Sequence, residues 1–236
     1  MSLSISISNN SKILAAFAIA CTITVGLVNE LTKNRIAQQQ QKQLLKQFNS
    51  IISEQRYNNE LAFDCTLVRS DSLGDNESKT AYLARLNGEP VATAIMVTAP
   101  DGYNGRINLL VAVNIDGSIS GARVLSHKET PGLGDKIELR KNPWITSFAG
   151  QVVEGEQDKR WAVVKDGGIF DQFTGATITP RAVVKAIKKA AIYVKNNQTQ
   201  LFNAENACRK DQQNNSENLT ETAEAAETNR ADHEIE

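Results

Sequence analysis

Histidine and cysteine, which supply most protein metal ligands, are scarce in this sequence. The 236 residues include two histidines and three cysteines, and no cysteine pair has the Cys-x-x-Cys spacing. Zinc and iron–sulfur centres need several such ligands. The supply of ligands therefore argues against either kind of metal centre.

The sequence also lacks an excess of basic over acidic residues, and it has no internal repeat. A formal net charge of -1 gives no reason to expect a nucleic-acid partner, because phosphate backbones are bound by clustered lysine and arginine. No segment recurs with a period of about 20 to 50 residues, which excludes solenoids and propellers. The length suits one ordinary domain with appendages.

Residues 13–28 form an almost uninterrupted apolar run. This is near the short limit for crossing a bilayer, and the residues up to 30 extend it. A cleaved signal peptide is the competing interpretation, but no clear small-x-small cleavage site follows Val28. We predict an uncleaved transmembrane helix at 13–30, preceded by a cytoplasmic N-terminus at 1–12.

Two flanking segments differ in composition from the domain between them. Residues 31–60 begin with a Gln- and Lys-rich stretch that predicts a juxtamembrane helix docking on the domain. Its apolar residues at helical spacing are Leu44, Leu45, Phe48, Ile51 and Ile52. A coiled-coil partner helix is the alternative, although the pattern is too short to sustain heptads. Residues 209–236 are acidic with almost no large apolar side chain, which predicts a disordered tail.

Residues 61–208 form the predicted folded domain. Alternating apolar residues around Asn87-Gly88 and Asp116-Gly117 indicate two hairpins, since these dipeptides favour tight turns. The predicted strands are 81–86, 91–97, 107–114, 119–125 and, separately, 161–165. Residues 71–79 are polar and turn-rich, which predicts a surface loop. Strands grouped before a C-terminal helix predict an α+β fold with a largely antiparallel sheet and flanking helices.

A motif with two hydroxyl residues and a Gly-Ala pair leads into the last helix. It reads Asp171-x-x-Thr174-Gly175-Ala176-Thr177. The helix is predicted to run from Pro180 to about residue 195, with Thr179 as its N-cap. Thr177 then lies just ahead of a helix N-terminus, where free N–H groups and the helix dipole favour a phosphate or another anion.

This motif matches the D-x-x-[S/T]-G-A-[S/T] signature of the FMN-binding domain family. In that family a flavin transferase joins FMN to the last hydroxyl by a phosphoester. Four further blocks, at 99–103, 129–136, 144–150 and 166–184, resemble the G subunit of the Rnf/Rsx electron transport complex. The resemblance extends from the apolar run to Cys208.

The resemblance implies an electron-carrying subunit of an ion-translocating oxidoreductase. Such a complex couples electron flow between ferredoxin and NAD to ion movement across the inner membrane. The implied partners are the other subunits and, during maturation, the flavin transferase. Because the flavin performs the redox chemistry, no catalytic side chain is expected.

The resemblance also assigns roles to individual residues. Thr177 is the expected site of covalent FMN attachment, and Asp171 belongs to the transferase recognition signature, although it could simply cap a turn. His127 is left out of the site because a lone histidine is more often structural. The other expected cofactor-binding residues are Thr174, Gly175, Ala176, Glu129, Thr130, Leu133 and Gly134.

Two further groups have both a structural and a functional interpretation. Trp144 and Trp161 could stack on the flavin, but aromatic residues in this pattern are more often core residues. Three lysines on the last helix most simply form a solvated face, although one of them could neutralise the phosphate. These are Lys185, Lys188 and Lys189.

The resemblance and the local charges disagree about the side of the membrane. The family places its flavin domain in the periplasm, whereas the positive-inside rule would put the basic residues after the apolar run in the cytoplasm. We follow the resemblance, because a partner complex can fix the orientation of a single helix. Cys65 and Cys208 could pair in such an oxidising compartment, but their spacing does not establish a disulfide.

Three other functions fit parts of the sequence. The C subunit of the sodium-translocating NADH:quinone reductase carries the same kind of motif. A flavin-free anchored scaffold would leave Thr177 unmodified. A free-standing periplasmic flavin reductase would turn over a soluble donor without a complex.

Overall fold

The computed structural model describes residues 2–208, and the predicted tail at 209–236 lies outside the described residues. The chain divides into two compact units, Met1–Lys46 and Gln47–Glu236. The second unit contains the sheet and all the residues considered as site residues.

The first helix, α1, is Ser2–Ile51. Within it, the stretch Asn10–Lys33 has a mean hydropathy of 2.0, and none of its side chains is buried. By length and composition this stretch is able to cross a membrane. It contains the predicted transmembrane segment 13–30.

Five strands form one antiparallel sheet in which each strand pairs with the next along the chain. They are β1 Cys65–Val68, β2 Lys79–Leu86, β3 Glu89–Gly102, β4 Gly105–Asn114 and β5 Ile119–Ser126. Both predicted hairpins are confirmed. Asn87 and Gly88 have φ values of 54° and 88°, the two consecutive positive values that a type I′ turn requires.

One face of the sheet packs on the second long helix, α2 (Ile178–Asn203). Ile95 and Val111 point to this face and are completely buried, together with Val183 and Ile187 of α2. Successive strand residues point to opposite faces, so the other residues of the same strands are available for packing on the second face.

The second face of the sheet carries the last turns of α1. Phe48 is completely buried there, with its ring centroid 4.7 Å from that of Tyr82. Ile51 packs against Gly121 of β5, where a Cβ atom would lie 3.0 Å from the isoleucine side chain. The end of α1 thus docks on the domain through part of the predicted apolar stripe.

Helix α1 ends at Ile51, where β5 supplies partners for its last carbonyl groups. Ser120 Oγ donates to Ile51 O at 2.5 Å, and the Arg123 guanidinium donates to Ser50 O at 2.7 Å. Carbonyl groups at a helix C-terminus need such donors, and a cation there is favoured by the helix dipole. Within the predicted segment 31–60, the helix thus ends at Ile51 rather than at residue 60.

The predicted strand at 161–165 is wrong. Val164–Asp166 forms a 3₁₀ turn instead. The chain reverses through Gly167, which has a φ of 85°, and Gly168 then packs closely on the preceding backbone. A Cβ atom on Gly168 would lie 1.9 Å from the Ala162 carbonyl oxygen. A short apolar pattern alone does not distinguish a strand from such a turn.

The start of α2 also differs from the prediction. The helix begins at Ile178, so Thr177 rather than Thr179 occupies the N-cap position. Thr179 is completely buried, and its hydroxyl donates to the Glu129 carboxylate instead of capping the helix. The helix continues to Asn203, beyond the predicted end.

Trp144 and Trp161 are core residues, as predicted. Both are buried and belong to one aromatic cluster. The Trp144 ring meets Phe148 edge-on with centroids 5.2 Å apart, and Phe148 stacks on Phe170 at 4.4 Å. Edge-on and offset contacts of this kind stabilise a core beyond simple area burial.

A disulfide joins the first strand to the end of the described chain. Cys65 and Cys208 are bonded, with Cα atoms 5.4 Å apart and a sequence separation of 143. The backbone supports the pairing, since Ala207 N donates to Cys65 O at 2.8 Å. The bond therefore closes a loop around almost the whole domain and restricts the unfolded chain.

We predict that Cys65→Ala lowers the free energy of unfolding by about 2–5 kcal/mol, the usual effect of losing a native disulfide. Thermal unfolding of the full-length protein in detergent measures the change. Cys21→Ala is the matched control, because Cys21 is a free cysteine and its loss breaks no cross-link. Equal melting temperatures for the two variants would contradict the prediction.

Candidate functional site

Three segments of the domain surround a cavity of about 280 Å³. The β3–β4 turn contributes Tyr103, and the chain entering α2 contributes residues 175–179. The loop after β5 contributes Glu129, Thr130, Leu133 and Gly134. Most of the cofactor-binding residues predicted from the sequence therefore line one cavity. They come from two groups, 129–134 and 175–177, that are far apart along the chain.

The Gly-Ala pair of the motif lies in a tight turn at the edge of this cavity. Ala176 N donates to Phe173 O at 3.1 Å, and Gly175 has a φ of 79°. A positive φ at the third residue is what a type II turn requires. A side chain with a Cβ atom would be strained at Gly175, which explains the glycine of the motif.

The aromatic core holds this turn from behind. Phe173 is buried, and its ring meets that of Trp144 edge-on with centroids 5.2 Å apart. Trp144 Nε1 also donates to Asp171 O at 2.8 Å. The turn is thus tied to the domain through residues that precede its apex, and Ala176 after the apex also packs on the core.

Thr177 is half-buried and lines the cavity at the N-terminus of α2. Its carbonyl oxygen accepts from Arg181 N at 3.4 Å, but its side chain does not cap the helix. Within residues 2–208 its hydroxyl makes no hydrogen bond. The first N–H groups of a helix lack intrahelical partners, so a free hydroxyl lies beside a site that favours negative charge.

Glu129 is the buried polar centre of the site, with 4% of the residue exposed. One carboxylate oxygen accepts from Thr179 Oγ1, and the other accepts from Asn104 N at 3.1 Å. These bonds join the loop after β5 to the start of α2 and to the β3–β4 turn. A single side chain therefore connects the three segments that surround the cavity.

Gly134 allows the loop to approach this carboxylate. A Cβ atom there would lie 2.8 Å from Thr179 Oγ1 and 2.9 Å from Glu129 Oε2, closer than ordinary contacts. The loop is closed on itself because Thr130 O accepts from Leu133 N at 3.2 Å and from Gly134 N at 3.1 Å. Glycine is thus required by close approach of the loop to the other two segments.

His127 supports the site from outside the cavity. Its Nδ1 atom accepts from Glu129 N at 3.0 Å, so the proton is assigned to Nε2, which lies 2.7 Å from Glu138 Oε1. Glu138 also pairs with Arg140. Hydrogen bonds from Arg140 and then His127 lower the pKa of Glu138 to about 2, so this carboxylate is ionised at neutral pH. These contacts give His127 a structural role, as the sequence analysis expected.

The lysines of α2 do not reach the cavity. Lys185 pairs with Asp101 at 2.6 Å, and Lys188 Nζ donates to the carbonyl oxygens of Glu156 and Asp158, each at 2.8 Å. Among the described residues that line the cavity, none is Lys, Arg or His. These lysines are therefore unsuited to neutralising a phosphate at Thr177.

Two motif residues lie outside the cavity lining. Thr174 is exposed at the turn. Asp171 is also exposed, and its carboxylate makes no hydrogen bond or ion pair with any part of the chain that the structure describes. Capping of a turn is thus not its role, and its side chain is accessible to another protein.

Sequence reasoning missed three lining residues, Tyr103, Ile178 and Thr179. Tyr103 and Ile178 are 68% and 45% exposed, and Leu133 beside them is 41% exposed. Large apolar side chains gathered at one opening mark a binding surface more reliably than scattered ones. Tyr103 could have been found from the sequence. It is an aromatic residue within a Gly-Tyr-Asn-Gly turn, where it has no core to pack in, and such a residue is a candidate for ligand contact.

Comparisons with known proteins identify the domain. A family model described as the FMN-binding domain matches residues 102–192, a span that contains all three segments around the cavity. A model described as the RnfG N-terminal region matches residues 1–51. The cavity therefore lies within an FMN-binding domain.

Relatives named as the G subunit of an ion-translocating oxidoreductase complex resemble the chain over most of its length. The Shewanella loihica protein is 52% identical over 204 residues, which cover 86% of this chain and 96% of the relative. The Vibrio atlanticus protein is 54% identical, with 83% and 94% covered, and a Vibrio cholerae protein is 52% identical, with 86% and 97% covered. The chain belongs to this family, the G subunits of ion-translocating oxidoreductase complexes.

We predict that Gly134→Ala lowers the free energy of unfolding by about 1–3 kcal/mol, the usual cost of overpacking a tight contact. Chemical denaturation of the full-length protein measures the effect. Gly155→Ala is the control, because a Cβ atom at Gly155 would meet nothing within 4 Å. A Gly134→Ala variant as stable as the control would show that the loop moves aside without cost.

Proposed function

We propose that the cavity holds FMN joined to Thr177 by a phosphoester, and that the chain is the electron-carrying subunit of its complex. The observation that carries this proposal is the free hydroxyl of Thr177, held at a helix N-terminus on the edge of the cavity. A hydroxyl engaged in capping would have to break its hydrogen bond before it reacted. The Thr177 side chain has no such bond to lose.

The residues around the cavity fit a flavin. The N-terminus of α2 favours the phosphate, while Leu133, Ile178 and Tyr103 provide exposed apolar surface for a planar ring. During maturation, Thr177 Oγ would form the new bond to phosphorus as the bond to the AMP half of FAD breaks and the hydroxyl loses its proton. Asp171 remains accessible for recognition by the transferase.

When bound, FMN supplies the redox chemistry of the subunit. The chain's own residues hold and orient it: Thr177 tethers the phosphate, and residues 174–176 keep the backbone close. The other residues proposed to contact FMN line the same cavity and are Glu129, Thr130, Leu133 and Gly134. We propose that this subunit passes electrons within a complex that couples electron transfer on the ferredoxin and NAD side to ion translocation, with the other subunits as its partners.

We propose that the chain is anchored in the inner membrane with its flavin domain on the periplasmic side. The disulfide between Cys65 and Cys208 supports this side, because disulfides persist in oxidising compartments. It outweighs the basic residues that follow the apolar segment. The proposed order is a cytoplasmic 1–12, a membrane helix at 13–30, a connecting segment at 31–60, the flavin domain at 61–208 and the tail at 209–236.

The test of the linkage is mass spectrometry of the protein produced together with its transferase. Wild type should carry one FMN by phosphoester on the peptide that contains Thr177, and Thr177→Ala should carry none. Thr177→Ser is the matched variant, since it keeps the hydroxyl and should remain modified. An unmodified wild-type peptide, with the transferase active on a control substrate, would favour the flavin-free scaffold.

The proposed side of the membrane predicts the number of reactive thiols in the protein from intact cells. After denaturation without a reductant, a maleimide reagent should label one cysteine per chain, Cys21, because Cys65 and Cys208 are bonded. Reduction before labelling should raise the number to three. Three labels without reduction would contradict a periplasmic domain, since that result requires a reducing compartment.

A further inference from the structure

We propose that the buried carboxylate of Glu129 lowers the reduction potential of the flavin through its uncompensated negative charge. This inference rests on the proposed function, because it requires FMN in the cavity. It assigns Glu129 a role beyond contact with the cofactor, as a residue that both positions the site and determines how readily the cofactor accepts an electron.

The first observation is the absence of a counter-ion. Within residues 2–208, no lysine, arginine or histidine forms an ion pair with the Glu129 carboxylate. Its partners are neutral groups, the Thr179 hydroxyl and Asn104 N–H. Charged residues nearby along the chain do not change this, since Lys128 is exposed and Lys141 pairs with Asp135 instead. The negative charge is thus solvated by hydrogen bonds but not neutralised.

The second observation is the pattern of donors. Each of the two Glu129 oxygens accepts one hydrogen bond, which is the pattern of an ionised carboxylate, an acceptor at both oxygens. Burial of such a charge is unfavourable unless it is well bonded. The two neutral donors stabilise the carboxylate but leave its charge uncompensated, and such departures from the usual pairing of buried charges are typical of functional sites.

The third observation is the position of the charge. Glu129 lines the same cavity as Thr177, and the described lining residues include no cation. Each electron that the flavin accepts adds negative charge, which a nearby carboxylate disfavours. Glu129 is itself 4% exposed, so water and salt screen its charge less than they screen a surface carboxylate. The flavin is therefore harder to reduce and a stronger electron donor once reduced.

Two variants test this inference with shifts of opposite sign. Glu129→Gln keeps the shape and one acceptor oxygen but removes the charge, so the midpoint potential of the attached flavin should rise. Thr179→Val keeps the charge but removes the hydroxyl that partly offsets it, so the potential should fall. Both are measured by spectroelectrochemical titration of the loaded, full-length protein, at the same pH as the wild type.

The control is the flavin content of each variant, measured by mass spectrometry, together with its thermal unfolding. A loaded Glu129→Gln variant whose potential is unchanged or lower would overturn the inference, as would a loaded Thr179→Val variant whose potential rises. If Glu129→Gln does not fold or load, the Thr179→Val titration alone decides. A wild type without FMN on Thr177 would instead contradict the proposed function itself, so the two failures are distinguishable.

Discussion

The candidate site depends on one buried carboxylate. Glu129 holds the β3–β4 turn through Asn104 N and the start of α2 through Thr179, and Gly134 packs directly against it. These segments are far apart in sequence, so chain entropy opposes their meeting. Hydrogen bonds to a charged group contribute about 1.5–3 kcal/mol each, and losing one partner would leave the other desolvated. The cavity therefore forms or is lost as a unit.

The two faces of the sheet pack on different parts of the chain. One face packs on α2 and on the aromatic cluster that supports the turn before Thr177. The other binds the last turns of α1 through Phe48 and through the hydrogen bonds of Ser120 and Arg123. Because the strands are shared, the elements that build the site and the last turn of α1 pack on opposite faces of the same sheet.

Local chemistry made the hairpins and the flavin motif predictable, whereas long-range contacts decided the rest. Asn87-Gly88 determines its turn through backbone conformation alone. The prediction placed the start of α2 too late. Thr179 is a favourable N-cap residue, but its hydroxyl donates to Glu129 on a distant segment instead. The prediction of a strand at 161–165 was wrong because the apolar pattern does not reveal the close packing of Gly168 on the preceding backbone. Pairing of Cys65 with Cys208 depends on the finished fold.

A cavity without a positive charge has a consequence for the life of the protein. Proteins that exchange FMN usually hold its phosphate with charged hydrogen-bond donors such as arginine, and none of the residues in 2–208 that line this cavity is of that kind. Affinity for free FMN would be low, so under the proposed linkage the cofactor content of each molecule is settled once, when the transferase acts. A loaded molecule would then keep its FMN, while an empty one would stay empty until the transferase modified it.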